Sequence, residues 1–217
     1  MTEPQAGSDP GQFTCRAWRE GDEWIINGEK YFSSHADFAE FLIVMAITDT
    51  TVPVHQGATM FLVPRDTPGF RIGKVFNKSG WRFYQNGEMI FENARVPHAN
   101  VVGEVNGAVK KSGTSGGDTT GGDLFGDLEL AANALGICDD ACESALRYAK
   151  TEKQAGQVAF AQQTVQLKIN RMYYLTEALR SFVLRIAWEH DRKIHSHNAG
   201  LVMNYSCEAV QEVTELY

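Results

Sequence analysis

The chain has 217 residues, room for one large domain or two of about 100 residues each, and its 43% hydrophobic and 22% charged residues are those of an ordinary folded protein rather than a disordered one. Asp and Glu outnumber Lys and Arg by 27 to 20, so the net charge of −7 removes the attraction to phosphate on which nucleic-acid binding relies. No apolar run, Phe41 to Ile47 included, approaches the roughly 20 residues of a membrane span, and Cys15, Cys138, Cys142 and Cys207 lack metal-ligand spacing, which reads as reduced thiols in a cytoplasmic protein.

Residues 12 to 105 read as β-structure, within a first domain of residues 1–111. The opening Met1-Thr2-Glu3-Pro4-Gln5-Ala6-Gly7-Ser8-Asp9 sets a proline and a glycine among hydroxyls and bare amides. The chain must turn there while presenting Thr2, Ser8 and backbone donors to a polar, flat partner such as a cofactor. Asn27-Gly28, between the β-favouring runs Trp24-Ile25-Ile26 and Tyr31-Phe32, predicts a type I′ hairpin turn. Phe41–Ile47 and Thr59–Val63 are continuous apolar runs of strand length, as expected for strands covered on both faces. Pro64 to Gly69 predicts a turn, and Phe70-Arg71-Ile72 and Glu88 to Glu92 alternate apolar with polar. Short strands with no helices between them predict a β-barrel or sandwich.

Residues 112–123, rich in Gly, Ser and Thr, have little side chain to bury and predict a mobile linker. A phosphate-cradling loop would need a Lys-Ser/Thr ending that is absent. In residues 124–217 the period changes to three and four. Leu124, Leu128, Ala131, Leu135, Cys138, Cys142, Ala145 and Ala149 form one stripe, Val165, Ile169, Met172, Leu175, Leu179, Phe182 and Ile186 a second, and Leu201, Tyr205, Ala209, Val213 and Leu216 a third. Three such helices, with a break near Gly156, predict an antiparallel bundle and make the fold class α+β. Cys138 and Cys142 read as small apolar residues in a helix interface, and the six histidines as loop or surface residues.

The run Thr2-Glu3-Pro4-Gln5-Ala6-Gly7-Ser8-Asp9 resembles the flavin-contacting Thr-Glu-Pro-x-Ala-Gly-Ser-Asp segment of the acyl-CoA dehydrogenase family. Asn27-Gly28-Glu29-Lys30-Tyr31-Phe32-Ser33-Ser34 is similar to its Asn-Gly-x-Lys-x-Trp-Ile-Thr-Asn, while the stretches ending in Thr67-Pro68-Gly69 and Arg95-Val96-Pro97 match framework turns. The resemblance implies a middle β domain followed by the start of a C-terminal bundle, an FAD cofactor, an acyl-CoA substrate, electron-transfer flavoprotein as acceptor, and a homo- or hetero-tetramer. Carried over by position, Thr2, Ser8 and the amides around Ala6 and Gly7 would contact the flavin. Ser8 would also face substrate, Phe32 would stand for the shielding Trp with Ser33 beside it, and Ser34 would supply the hydroxyl to the flavin N5. Gln163, rather than Gln162, matches the glutamine of the helical half.

The match has gaps. Glu152 and Ala155 stand where the family has an Arg and a Phe that meet the cofactor of a neighbouring subunit; Lys153 could substitute for the charge. The resemblance puts the usual catalytic glutamate beyond Tyr217 and an N-terminal helical domain before Met1, so the stretch is expected to be an internal piece of a larger subunit. Glu129, on the first bundle helix, is the candidate for the base. Two alternatives stay open: a non-catalytic partner subunit of a heteromeric dehydrogenase, and a flavin enzyme of the same fold with other chemistry, such as an oxidase.

Overall fold

The computed structural model describes residues 1–108, 124–194 and 198–217, in two compact units, Met1–Gly116 and Gly117–Tyr217. The glycine-rich 112–123 segment, His195 and His197 lie outside the described residues.

In the first unit six strands, β1 (Arg16–Glu20), β2 (Glu23–Ser34), β3 (Phe41–Ile47), β4 (Ala58–Pro64), β5 (Phe70–Val75) and β6 (Asn86–Pro97), form one mixed sheet in the order β4-β3-β1-β2-β6-β5. Only β1 and β3 run parallel, joined at Arg16 and Ile47; the other neighbours are antiparallel. No ladder joins β4 to β5 among the described residues, so the predicted β-structure is a curled sheet rather than a closed barrel. Its curl is evident from the core. Ala17, Ile26, Val44, Phe61, Phe70 and Phe91, one from each strand, belong to a single buried cluster.

Two expectations about the strands fail. Asn27-Gly28 makes no hairpin; it lies inside the 12-residue β2, where the register with β6 shifts between Ile26 and Gly28. The hairpin turn falls instead at Gly21-Asp22, between Glu20 and Glu23. Gly28 is required for another reason: with φ 136, a Cβ placed on it would lie 2.7 Å from the Cys15 Cα on the adjacent chain. The Asn27 side chain accepts from the Asn93 amide at 2.9 Å and donates to the Asn93 side chain at 3.0 Å, tying the bulge to β6. β3 is not covered on both faces along its whole length: Phe41 and Ile43 are more than half exposed, whereas Val44 to Ile47 are all buried and fit the expectation. The loop before β4 carries a single helical turn, α1 (Val54–Gly57).

The second unit contains α2 (Leu124–Thr151), α3 (Gln163–Asp191) and α4 (Ala199–Leu216). Between α2 and α3 a two-residue hairpin, Lys153–Gln154 with Gln157–Val158, turns through Ala155 and Gly156, both at positive φ. Cross-helix contacts run in opposite order along each pair. Asp139 meets Arg180 while Cys142 meets Thr176, and Leu175 meets Tyr205 while Arg171 meets Glu212, so successive helices are antiparallel. The predicted stripes are largely the packed faces: Ala131, Cys138, Cys142, Met172, Leu175, Leu179, Ile186, Ala209 and Val213 share one core, but Leu201 is more than half exposed and Val202 packs in its place. Among the described residues no helix is long and apolar enough to cross a membrane.

Candidate functional site

The opening segment is held by a buried ion pair that sequence spacing alone does not reveal. Glu3 Oε1 accepts from Lys30 Nζ at 2.7 Å, and both side chains are 1% exposed. Placing two charges out of water costs several kcal/mol each by order of magnitude, so the remaining hydrogen-bonding capacity has to be filled. It is filled. Glu3 also accepts from the Thr14 amide at 2.6 Å, the Cys15 amide at 3.0 Å, the Thr14 hydroxyl at 3.0 Å and the Gln5 side chain at 2.8 Å. Lys30 donates to the Met1 carbonyl at 3.1 Å and lies 4.7 Å over the Phe13 ring. Burial pushes the Glu3 carboxyl upward, but the Lys30 ammonium and the Thr14 and Cys15 amides outweigh it and hold it below its ordinary value. The neighbouring Cys15 thiol, buried and unable to shed its proton easily, is pushed up to about 11.

This lock decides what the rest of the segment can do. Thr2 is half-buried, and its carbonyl accepts from the Tyr31 amide at 2.8 Å, which lays the segment alongside β2. Ala6 is turned into a small core with Phe13, Met45 and Ile47, and its amide is consumed by the Glu3 carbonyl at 3.1 Å. Ala6 therefore has no free amide for a ligand. The exposed Gly7 and Ser8 amides donate to nothing among the described residues, and the Ser8 hydroxyl is likewise at the surface.

At the far end of β2 the ladder with β6 is broken a second time, between Lys30 and Ser33, and Phe32 takes φ 55. A left-handed aromatic residue is an outlier that persists only where its surroundings hold it. Phe32 is 52% exposed, its ring tilted against that of Phe76 at 4.6 Å and edge-on to Tyr31. Ser34 is exposed as well, and Ser33 between them is half-buried. The structure thus gathers Thr2, Gly7, Ser8, Phe32, Ser33 and Ser34 onto two adjoining segments. What they offer is an exposed aromatic ring, free hydroxyls and two free amides. A flat heterocycle that gains negative charge on reduction needs donors of this kind at its polar edge.

Gln163 belongs to the second unit, as the exposed first residue of α3, with Gln162 before it bonding to the Gln154 side chain at 3.3 Å. Glu129 is exposed on α2, and its carbonyl accepts from Asn133 at 2.9 Å. Glu152, Lys153 and Ala155 are all exposed around the short hairpin. Glu3 and Lys30 are the residues the sequence reading passed over. The signal that could have found them is the coincidence of an acidic residue and a lysine inside two motifs read for other residues.

Two family models match. The acyl-CoA dehydrogenase middle domain matches residues 1–94, and the acyl-CoA dehydrogenase C-terminal domain residues 126–217. A Bacillus subtilis protein named "Probable acyl-CoA dehydrogenase YngJ" is 36% identical over 198 residues, covering 88% of this chain and 49% of that protein. Butyryl-CoA dehydrogenase from Megasphaera elsdenii superposes with a TM-score of 0.86 at 29% identity, over 99% of this chain and 55% of its own. A chain from the structure described as the electron transferring flavoprotein of Acidaminococcus fermentans gives 0.84 at 30% identity, over 99% and 55%. The chain spans about half the length of the curated relatives it matches.

Proposed function

Because the chain belongs to the acyl-CoA dehydrogenase family, we propose that it is the flavin-cradling part of an FAD-dependent dehydrogenase that forms an α,β double bond in a CoA thioester. When bound, the cofactor supplies a two-electron acceptor for that oxidation. The observation that carries the reading is that the segment with the exposed Gly7 and Ser8 amides is tied, by the Glu3–Lys30 lock and the Thr2–Tyr31 hydrogen bond, to the strand that bears the exposed Phe32 and Ser34. The Gly7 and Ser8 amides, with Thr2 beside them, would donate hydrogen bonds to the cofactor, Phe32 would exclude water from it, and the Ser34 hydroxyl would be a further donor. Ser33 sets the spacing between the last two, and Ser8 would also border the substrate; Gln163, on the helical unit, is a separate candidate for a cofactor contact.

We assign no base to the described first unit. Glu129 on α2 remains the candidate carboxylate from the helical half. The electron acceptor is taken to be an electron-transfer flavoprotein, the assembly a tetramer and the compartment the cytoplasm, in keeping with four free cysteines. A second reading, a partner subunit that leaves its neighbour's cofactor site incomplete, is favoured by the exposed Glu152 and Ala155. A carboxylate there would repel a cofactor pyrophosphate.

The test is flavin retention by the full-length protein. The purified protein is expected to carry FAD that is released on denaturation, and Ser34→Ala to keep the FAD while altering its spectrum. Full-length protein that neither purifies with nor takes up FAD would sink the dehydrogenase reading.

A further inference from the structure

The left-handed bulge at Phe32 is gripped from behind by one side chain. Asn86, at the start of β6 and 9% exposed, pairs in register with Ser34, and its Nδ2 donates to the Phe32 carbonyl at 3.0 Å. Its backbone carbonyl accepts from the Phe76 amide at 2.9 Å, and the Phe76 ring lies 4.6 Å from that of Phe32. Asn86 thus fixes both members of this aromatic pair. Its own orientation is fixed in turn by Lys78, whose Nζ donates to Asn86 Oδ1, to the Tyr84 carbonyl at 2.5 Å, and lies 5.5 Å over the Tyr84 ring. An ammonium only donates, so it can meet only the oxygen of the amide, and Nδ2 is left to face Phe32. The neighbouring His35, also at positive φ, is anchored by its amide to the Gln85 carbonyl at 2.8 Å, so the bulge is held at both ends by the same short stretch of β6 and the turn before it.

We propose that Asn86, oriented by Lys78, is the positioning residue of this site: it holds the Phe32 carbonyl so that the Phe32 ring and the Ser34 hydroxyl meet the flavin in one fixed geometry. Neither side chain touches the cofactor. The proposal rests on the flavin reading above and adds to it the device that sets the cradle's shape. Asn86→Asp keeps the size and can still pair with Lys78, but it turns the donor toward Phe32 into an acceptor facing an acceptor. Lys78→Met frees the amide to flip, while Lys78→Arg keeps a cationic donor.

The experiment uses the full-length holoprotein and reads visible circular dichroism of the bound flavin, its dissociation constant and its midpoint potential, alongside the melting temperature. Asn86→Asp and Lys78→Met are expected to weaken flavin binding about tenfold, the scale of one neutral hydrogen bond, and to change the dichroism and potential; Lys78→Arg is expected to restore both. If Asn86→Asp does not fold, the Lys78→Met and Lys78→Arg pair reads the same contact. Unchanged flavin dichroism, affinity and potential in the folded variants, even with a lower melting temperature, would overturn the positioning role alone. A wild-type protein without flavin would overturn the cofactor reading and this proposal with it.

Discussion

At the scale of single residues the account turns on Glu3. A buried ion pair is often no more stable than two apolar residues of the same size, yet removing one partner strands the other charge at a cost of about 3–5 kcal/mol. Glu3→Gln is therefore expected to lower unfolding stability by about 3 kcal/mol in urea titrations. Replacing both Glu3 and Lys30 by apolar residues is not expected to be neutral, because the Thr14 and Cys15 amides would lose their acceptor, at about 1–3 kcal/mol each. The pH dependence follows from the lowered Glu3 value. A group whose folded pKa lies below its unfolded one stabilises above the ordinary carboxylate range and loses that contribution as pH falls through the folded value. Stability measured from neutral pH downward should fall on the acid side, and the Lys30→Met variant should lose most of that acid-dependent step. Thiol reactivity is a separate check. Buried Cys15 and Cys138, both pushed up to about 11, should resist alkylation at neutral pH in the native protein, while exposed Cys207 reacts first.

At the scale of elements, β2 shows where local signals mislead. Asn-Gly has the right chemistry for a two-residue turn, but the competing demand at Gly28 is the approach of β1, and only the folded sheet reveals it. Gly28→Ala should cost about 2 kcal/mol or more through strain and collision with Cys15, read as a lower denaturation midpoint. The helices were legible because their signal is periodic and redundant; Cys138, Cys142, Leu179 and Val213 were each placed on a stripe and each is buried. Leu179, fully buried at the bundle centre, should cost about 2–5 kcal/mol when cut to Ala. The site was half legible. Phe32 and Ser34 stand in a motif that names them, whereas the Glu3–Lys30 and Asn86–Phe32 contacts join residues 27 and 54 apart, which no spacing rule reaches. Ala6 was placed in the right motif but with the wrong freedom, because its amide closes a bridge to Glu3.

At the scale of the whole molecule, each unit has its own core and its own share of the chemistry. The curled sheet carries the exposed Phe32, Ser34, Gly7 and Ser8, and the bundle by itself carries the exposed Gln163 and the short hairpin that bears Glu152. The reading as a dehydrogenase and the reading as a non-catalytic partner share the cradle and differ in turnover. Anaerobic addition of acyl-CoA to the flavin-loaded full-length protein separates them most directly. The account predicts that the visible flavin absorbance bleaches in proportion to added thioester and returns with an electron-transfer flavoprotein; bound flavin that no acyl-CoA reduces would contradict it.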